Sequence, residues 1–303
     1  MTRASARYLP PETIARIAAL ELRARGVVEG TLAGVHDSRA RGQSIEFLQH
    51  REYVRGDDPR RVDWKVWGRQ DRLYVKEYEE ETHLRLTVLV DGSGSMDYPP
   101  RDGRRGTKYD RAATLAASLA WLALDHGDAA GCVVFADRVR AAVPARTRRT
   151  HLDAVLETLA AARPPGLPTD FRLVLRSLAE TLPRRGLVVV VSDLLGDRTG
   201  LVPGLRELRV RGHDLAVLHV LDDDELDFPF EGPTRFEGLE SADHVALNPR
   251  AFRAGYLDAL RAFLDETRRA TAALGCDYEL VRTGEPPAGA LVRFLARRTR
   301  PAR

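Results

Sequence analysis

From Leu84 onward, short apolar runs alternate with longer stretches in which leucine or alanine recurs every three or four residues. Runs of the first kind suit buried strands, and the spaced pattern suits helices laid on a sheet. Residues 84–90 predict a strand, and 109–124 a helix with Leu115, Leu119 and Leu122 along one face. Residues 131–136 and 139–143 read as a hairpin. A helix over 151–162 is stopped by Arg163-Pro-Pro-Gly-Leu-Pro168, which cannot continue it. Thr169 and Asp170 open a further helix to Leu182, with Leu173, Leu175, Leu178 and Leu182 mostly inward. Residues 186–191 form the most continuous β-branched run, the mark of a strand covered on both faces.

A helix over 201–209 and a strand over 214–221 follow, then an acidic stretch, Asp222 to Glu225, and an irregular connection to about Ser241. Asn248-Pro249 is an N-cap followed by proline at the first helical position, and starts a helix running to about Leu274. A strand over 276–281 and a last helix over 290–298, set off by Pro286-Pro287, complete the series. This alternation predicts an α/β fold, a doubly wound and mostly parallel sheet with helices on both faces. Upstream, 11–25 carries Ile14, Ile17 and Leu20 at helical spacing with Gly26 as a stop, so a short N-terminal helix is expected. The text from Gly30 to His83 is dense in charged and aromatic residues without a long period, which predicts turns and short strands. We therefore divide the chain into an N-terminal region (1–83), the α/β domain (84–283) and a C-terminal helix with a basic tail (284–303).

Hydrophobic residues are 44% and charged residues 30% of the 303, an ordinary globular balance. The net charge of +3 carries little meaning, because only three lysines stand among 47 basic residues and the arginine bias matches a GC-rich coding sequence. Basic runs at 101–105 and 297–300 lack the interleaved aromatics of single-strand binders, so no nucleic-acid partner is expected. No stretch approaches the roughly 20 apolar residues that span a bilayer, and no signal-peptide core opens the chain, so a cytoplasmic protein without an integral membrane segment is expected. Cys132 and Cys276 read as buried reduced thiols. Histidines are scattered singly and support no zinc site.

The sharpest local feature is Asp91-Gly-Ser-Gly-Ser95, directly after the first apolar run. A carboxylate and two hydroxyls in a tight loop can seat a hard cation such as Mg2+; they can equally form a polar strand-to-helix turn. Ligands of open α/β sheets bind beyond the carboxyl ends of the strands. Asp193 ends a second strand, and Thr169 opens a helix after a Pro/Gly loop, so both can reach the same crevice. Each also has a plainer role, Thr169 or Asp170 as a helix cap and Asp193 as a turn residue.

The order Asp-x-Ser-x-Ser, then Thr, then Asp resembles the metal-ion-dependent adhesion site (MIDAS) of von Willebrand factor A-type domains, and 84–283 fits that fold's succession of elements. The resemblance implies that Ser93, Ser95 and Thr169 contact Mg2+, with Mn2+ as the alternative, while Asp91 and Asp193 complete or orient the shell, partly through water. It also implies that an acidic residue of a partner protein fills the open position. Pro168 departs from the pattern, since relatives more often carry glycine there. A second resemblance lies upstream. Gly42-Gln-Ser-Ile-Glu-Phe47, Arg51-Glu-Tyr53, Gly56-Asp-Asp-Pro-Arg-Arg-Val-Asp-Trp-Lys65, Val75-Lys76 and Glu79 are similar to the domain of unknown function 58 family, whose members are usually encoded beside MoxR-type AAA+ ATPases.

Together these imply a non-enzymatic, divalent-metal-dependent interaction module, an adaptor or co-chaperone partner of a MoxR-type ATPase, or one that presents a client offering an acidic residue. The alternative is a metal-dependent phosphoryl-transfer enzyme using Asp91. A dehalogenase-like phosphatase would want a carboxylate where Ser93 stands, and the lipase elbow fails because Asp91 occupies its first glycine position. The third glycine of a dinucleotide fingerprint is Asp97. In the upstream motif, Asp57, Asp58 and Asp63 beside Arg51, Arg55, Arg60 and Arg61 read as an ion-pair clasp, which needs no metal, anchored by Trp64 and Trp67.

Overall fold

The computed structural model describes the backbone of residues 45–52 and 74–80, and residues 84–99, 101, 106–162, 166–183 and 185–298. The helix expected over 11–25, the stretch of the charged motif from Tyr53 to Lys65 with its clasp, and Trp67 lie outside these residues. Two compact units divide the chain, Leu32–His83 and the remainder. Within the first, β1 (Ile45–Glu52) pairs antiparallel with β2 (Tyr74–Glu80), and the register shifts between Phe47 and Gln49.

In the second unit, β3 (Arg85–Asp91) leads to α1 (Lys108–Asp125), then β4 (Ala129–Phe135), β5 (Val139–Arg146), α2 (His151–Ala161) and α3 (Phe171–Thr181). There follow β6 (Gly186–Ser192), α4 (Leu201–Val210), β7 (His213–Leu221), α5 (Asp223–Asp227), β8 (Thr234–Glu237), β9 (His244–Leu247), α6 (Pro249–Ala273), β10 (Asp277–Arg282) and α7 (Pro287–Arg298). Six strands form one sheet in the order β10-β7-β6-β3-β4-β5, with only β5 antiparallel to its neighbour. The α/β, doubly wound, mostly parallel arrangement expected from the alternation is present. Among the described residues, no helix is long and apolar enough to cross a membrane.

Side-chain alternation on the central strands explains the two layers of helices. Leu86, Val88 and Val90 of β3 and Leu187, Val189 and Val191 of β6 pack with α1, α2 and α7. Leu89, Val188 and Val190 point the other way, to α3 and α4. Successive strand residues face opposite sides, so strands apolar at every position need cover on both. The alanines of α1 (Ala112, Ala113, Ala116, Ala117, Ala120, Ala123) are buried and let that helix lie close to the sheet. Thr107 and Asp110 form a capping box that fixes where α1 begins.

At the edge, Pro144 of β5 lacks an N–H, which an edge strand tolerates. Gly131 of β4 faces this strand at a register shift. A methyl group there would lie 2.5 Å from the Val143 carbonyl oxygen and 2.6 Å from the Ala145 amide nitrogen. Both obstacles are backbone and cannot rotate aside. Gly131→Ala is therefore expected to cost about 1–3 kcal/mol, read as a lower urea midpoint with an unchanged slope.

Three expectations need correction. Leu173 is exposed, because it lies about 200° around the helix from Leu175, off the face made by Phe171, Val174, Leu175 and Leu178; Leu175 and Leu178 are buried as expected. The connection expected to be irregular contains α5 and the β8–β9 hairpin. These strands are short, and Phe228, Phe230, Phe236 and Tyr256 pack together beneath them, contacts that no local period announces. Finally, α7 starts at Pro287, not Ala290. Proline suits a first helical turn, whose N–H groups have no helical acceptor. Both cysteines are free and buried, and burial pushes each thiol up to about 12.

Candidate metal centre at the switch point of the sheet

Counted within the domain from the β5 edge, the sheet order is third, second, first, fourth, fifth, sixth strand. Chain direction along the sheet therefore reverses between β3 and β6. The loops leaving those strands part to opposite sides and open a crevice between them. Asp91 ends β3; Ser192 ends β6, and Asp193 follows it.

Asp91 is 1% exposed and lies at the centre of the site. Its Oδ1 accepts the Ser93 amide at 2.9 Å and the Thr169 hydroxyl at 2.9 Å, and its Oδ2 accepts the Ser192 hydroxyl at 2.5 Å. The Ser93 and Ser95 hydroxyls lie 3.1 Å apart. Residues far apart in the chain thus meet around one carboxylate. Thr169 is held by its loop at both ends: the Gly94 amide donates to Leu167 O, and the Asp170 amide to Ala136 O. Pro168 does not keep the Thr169 hydroxyl from Asp91. The Asp170 side chain accepts from the Leu173 amide and is the N-cap of α3, which leaves Thr169 to the site.

Asp193 is turned to a different partner. Its Oδ2 receives the Lys108 ammonium at 2.7 Å, and its Oδ1 accepts the Leu195 amide at 3.1 Å. The same ammonium reaches Glu225 at 2.6 Å. Lys108 is 1% exposed. Burial opposes its charge, but Asp193 and Glu225 together hold it above the usual lysine range. Burial also lifts the Glu225 carboxyl, and the ammonium offsets only part of that. His219 supports the backbone here. Its Nε2 is 2.8 Å from Asp193 O, and since a carbonyl only accepts, Nε2 carries the proton and Nδ1 accepts from the Tyr278 hydroxyl at 2.8 Å. Burial lowers the imidazole to about 4, so it is neutral at pH 7. Leu194, buried, takes the left-handed conformation with φ +55° and donates its amide to the Ser192 hydroxyl. Such a residue outside glycine costs about 1–3 kcal/mol and concentrates at functional sites.

Burial first, and then the Asp193 charge, push the Asp91 carboxyl from 3.8 up to about 6, against the hydrogen bonds from Ser192 and Ser93. Among the described residues, the Lys108 ammonium stands against the Asp91, Asp193 and Glu225 carboxylates, so these groups are short of positive charge. Among the described residues, the side-chain atoms that hydrogen-bond Asp91 are the Thr169 and Ser192 hydroxyl oxygens, a donor set that fits a hard divalent cation. Among the described residues no cluster of three His, Cys, Asp or Glu side chains forms a metal site of the soft or carboxylate-rich kind.

Asp91, Ser93, Ser95 and Thr169 are thus joined directly, and Asp193 stands at the same strand ends with its carboxylate tied to Lys108. Sequence reasoning missed Lys108, Ser192, Glu225 and Glu240, whose Oε1 accepts the Ser95 amide at 3.0 Å. Lys108 did carry a signal, as one of three lysines in an arginine-rich chain placed just ahead of an apolar helix.

The chain is 30% identical over 300 residues to "Uncharacterized protein Mb1516" of Mycobacterium bovis, a match covering 96% of this chain and 92% of that one. Among solved structures it is similar to the conserved hypothetical protein BatB from Bacteroides thetaiotaomicron, with a TM-score of 0.45 and 13% identity over 71% of this chain and 98% of that one. It is also similar to the SpRpn10 VWA domain, with a TM-score of 0.37 and 11% identity over 69% of this chain and 94% of that one. Residues 49–264 match the family described as protein of unknown function DUF58, and the chain belongs to that family.

Proposed function

We propose that this protein is a divalent-metal-dependent protein-interaction module that works with a MoxR-type AAA+ ATPase as adaptor or co-chaperone. The observation that carries the reading is the meeting of Asp91, Ser93, Ser95 and Thr169 at the switch point, through direct hydrogen bonds. Ser93, Ser95 and Thr169 would hold Mg2+ or Mn2+ by their hydroxyls, Asp91 would orient them and supply charge, and Asp193 would act through water while Lys108 holds its carboxylate. A cation held mainly by neutral hydroxyls keeps most of its charge and attracts an incoming carboxylate.

The surroundings suit a protein partner. Leu167, Leu195 and Leu239 are 38%, 49% and 41% exposed, and each lies in a segment that touches the site. Large apolar side chains exposed around a polar centre mark interaction surfaces. The phosphoryl-transfer reading is disfavoured by Asp91 itself, which is buried with both oxygens engaged and is not presented to a substrate. The MoxR link is supported by family membership, since members are usually encoded beside such ATPases.

Mg2+ or Mn2+ is expected to raise the unfolding free energy of the wild type relative to EDTA by about 3 kcal/mol at a hundredfold excess over Kd, read as a higher unfolding midpoint. Asp91→Ala and Ser95→Ala should show no such gain. The same cation should be required for co-purification with a MoxR-type ATPase. A wild type whose unfolding ignores both cations, or an ATPase complex equally strong in EDTA and in Ser95→Ala, would sink the reading.

A further inference from the structure

The turn between β8 and β9 brings an acid of this chain to the site. Glu240 accepts the backbone amide of Ser95 at 3.0 Å, across 145 residues of sequence. Its neighbour lies against the same loop: a methyl group on Gly94 would be 2.4 Å from Leu239 O and 2.9 Å from Glu240 Cγ. Glycine at 94 is what admits the Leu239–Glu240 backbone so closely. In a chain rich in arginine, Asp223, Asp227, Asp277, Glu279 and Glu285 all have guanidinium partners. Among the described residues Glu240 has none, and its half-buried carboxylate meets a backbone amide of the hydroxyl loop instead. A carboxylate with no cationic partner among the described residues, at the rim of a crevice whose described groups are short of positive charge, is placed to share that crevice's cation.

The turn is also built to leave as a unit. Its own bonds close it, Gly238 N to Asp243 O at 2.8 Å and Ser241 Oγ to Asp243 at 2.8 Å, so its shape does not depend on the site. β8 and β9 are four residues each and largely exposed, and a lone two-stranded hairpin is marginal in stability. Phe236, one rung from the turn, stacks on Phe228 and tethers the hairpin to the domain.

We propose that Glu240 is a resident ligand that occupies the open position of the cation site, and that a partner binds by exchanging its own leucine-flanked carboxylate for the Leu239–Glu240 turn. This rests on the metal-dependent reading above and specifies the chemistry of the partner and what it must displace. The partner element is then an exposed acidic residue next to a large apolar one, so that it replaces both Glu240 and the Leu239 contact.

The test uses the full chain and Mn2+ as its own reporter, through binding and water-proton relaxation, with acetate as the carboxylate probe. In the wild type, bound Mn2+ should have few exchangeable waters and be indifferent to acetate. Glu240→Ala should bind Mn2+ on the order of tenfold more weakly, show a higher relaxation enhancement, and lose that enhancement as acetate is added. Glu240→Gln keeps an acceptor for the Ser95 amide but not the charge, and should follow Glu240→Ala, which separates ligation from tethering of the turn. If Mn2+ binds all three proteins with equal affinity, enhancement and acetate response, Glu240 is a surface hydrogen bond and this inference alone falls. If Mn2+ binds none of them, the metal-dependent reading falls with it.

Discussion

Lys108→Met is expected to be among the most damaging single substitutions in the domain, lowering unfolding free energy by about 3–5 kcal/mol. The ammonium is 1% exposed and bonds Asp193 at 2.7 Å and Glu225 at 2.6 Å. Methionine fills the same length of side chain but leaves two carboxylates facing each other in a site that water reaches poorly. The cost is therefore that of stranded charge, because the packing is largely kept. A second substitution separates these terms. Lys108→Met combined with Glu225→Gln should recover part of the loss, since one of the stranded charges is gone. Denaturant midpoints of the two variants decide the matter: equal midpoints would mean that packing of the lysine stem, and not its charge, carried the effect.

Asp91→Asn is expected to act in the opposite direction. In EDTA at pH 8 it should raise unfolding free energy by about 2–3 kcal/mol while abolishing the gain from Mg2+. The sign follows from the carboxyl being raised from 3.8 to about 6 by burial and by Asp193. Between these values the native state binds more protons than the unfolded one, so stability falls as pH rises through the window. Above about pH 6 the whole penalty is present. Asparagine does not titrate, so its advantage should grow between about pH 4 and 6 and then level off. Asn keeps an acceptor for the Ser93 amide and the Thr169 hydroxyl, and the Ser192 hydroxyl can rotate to receive its amide. A variant less stable than the wild type in EDTA at pH 8 would show that the carboxylate is not under electrostatic stress. A stabilised but metal-blind variant would show stability given up to keep a cation site.

Much of the fold is legible locally. The β-branched run at 186–191 and the leucines of 109–124 set element type through side-chain period, and the boundaries shift by only a residue or two. Leu173 departs from the inward reading because it stands about 200° around the helix from Leu175, off the face that Phe171, Val174 and Leu178 bury, whereas the 222–247 segment departs because its hairpin is held by aromatics brought from elsewhere. At the site, Asp91, Ser93 and Ser95 could be read from five consecutive residues, because the ring they form is local. Thr169 and Asp193 needed strand-end logic, and the Thr169 hydroxyl does reach Asp91.

The polypeptide pattern alone therefore determined an α/β sheet with a hydroxyl-bearing loop at the end of its first strand, since period and turn chemistry act over a few residues. Only the tertiary structure decided which charges meet there. Lys108 and Asp193 are 85 residues apart, and Ser95 and Glu240 are 145 apart. Coulomb energy and desolvation depend on distance in space and on access to water, and neither is written in the spacing along the chain.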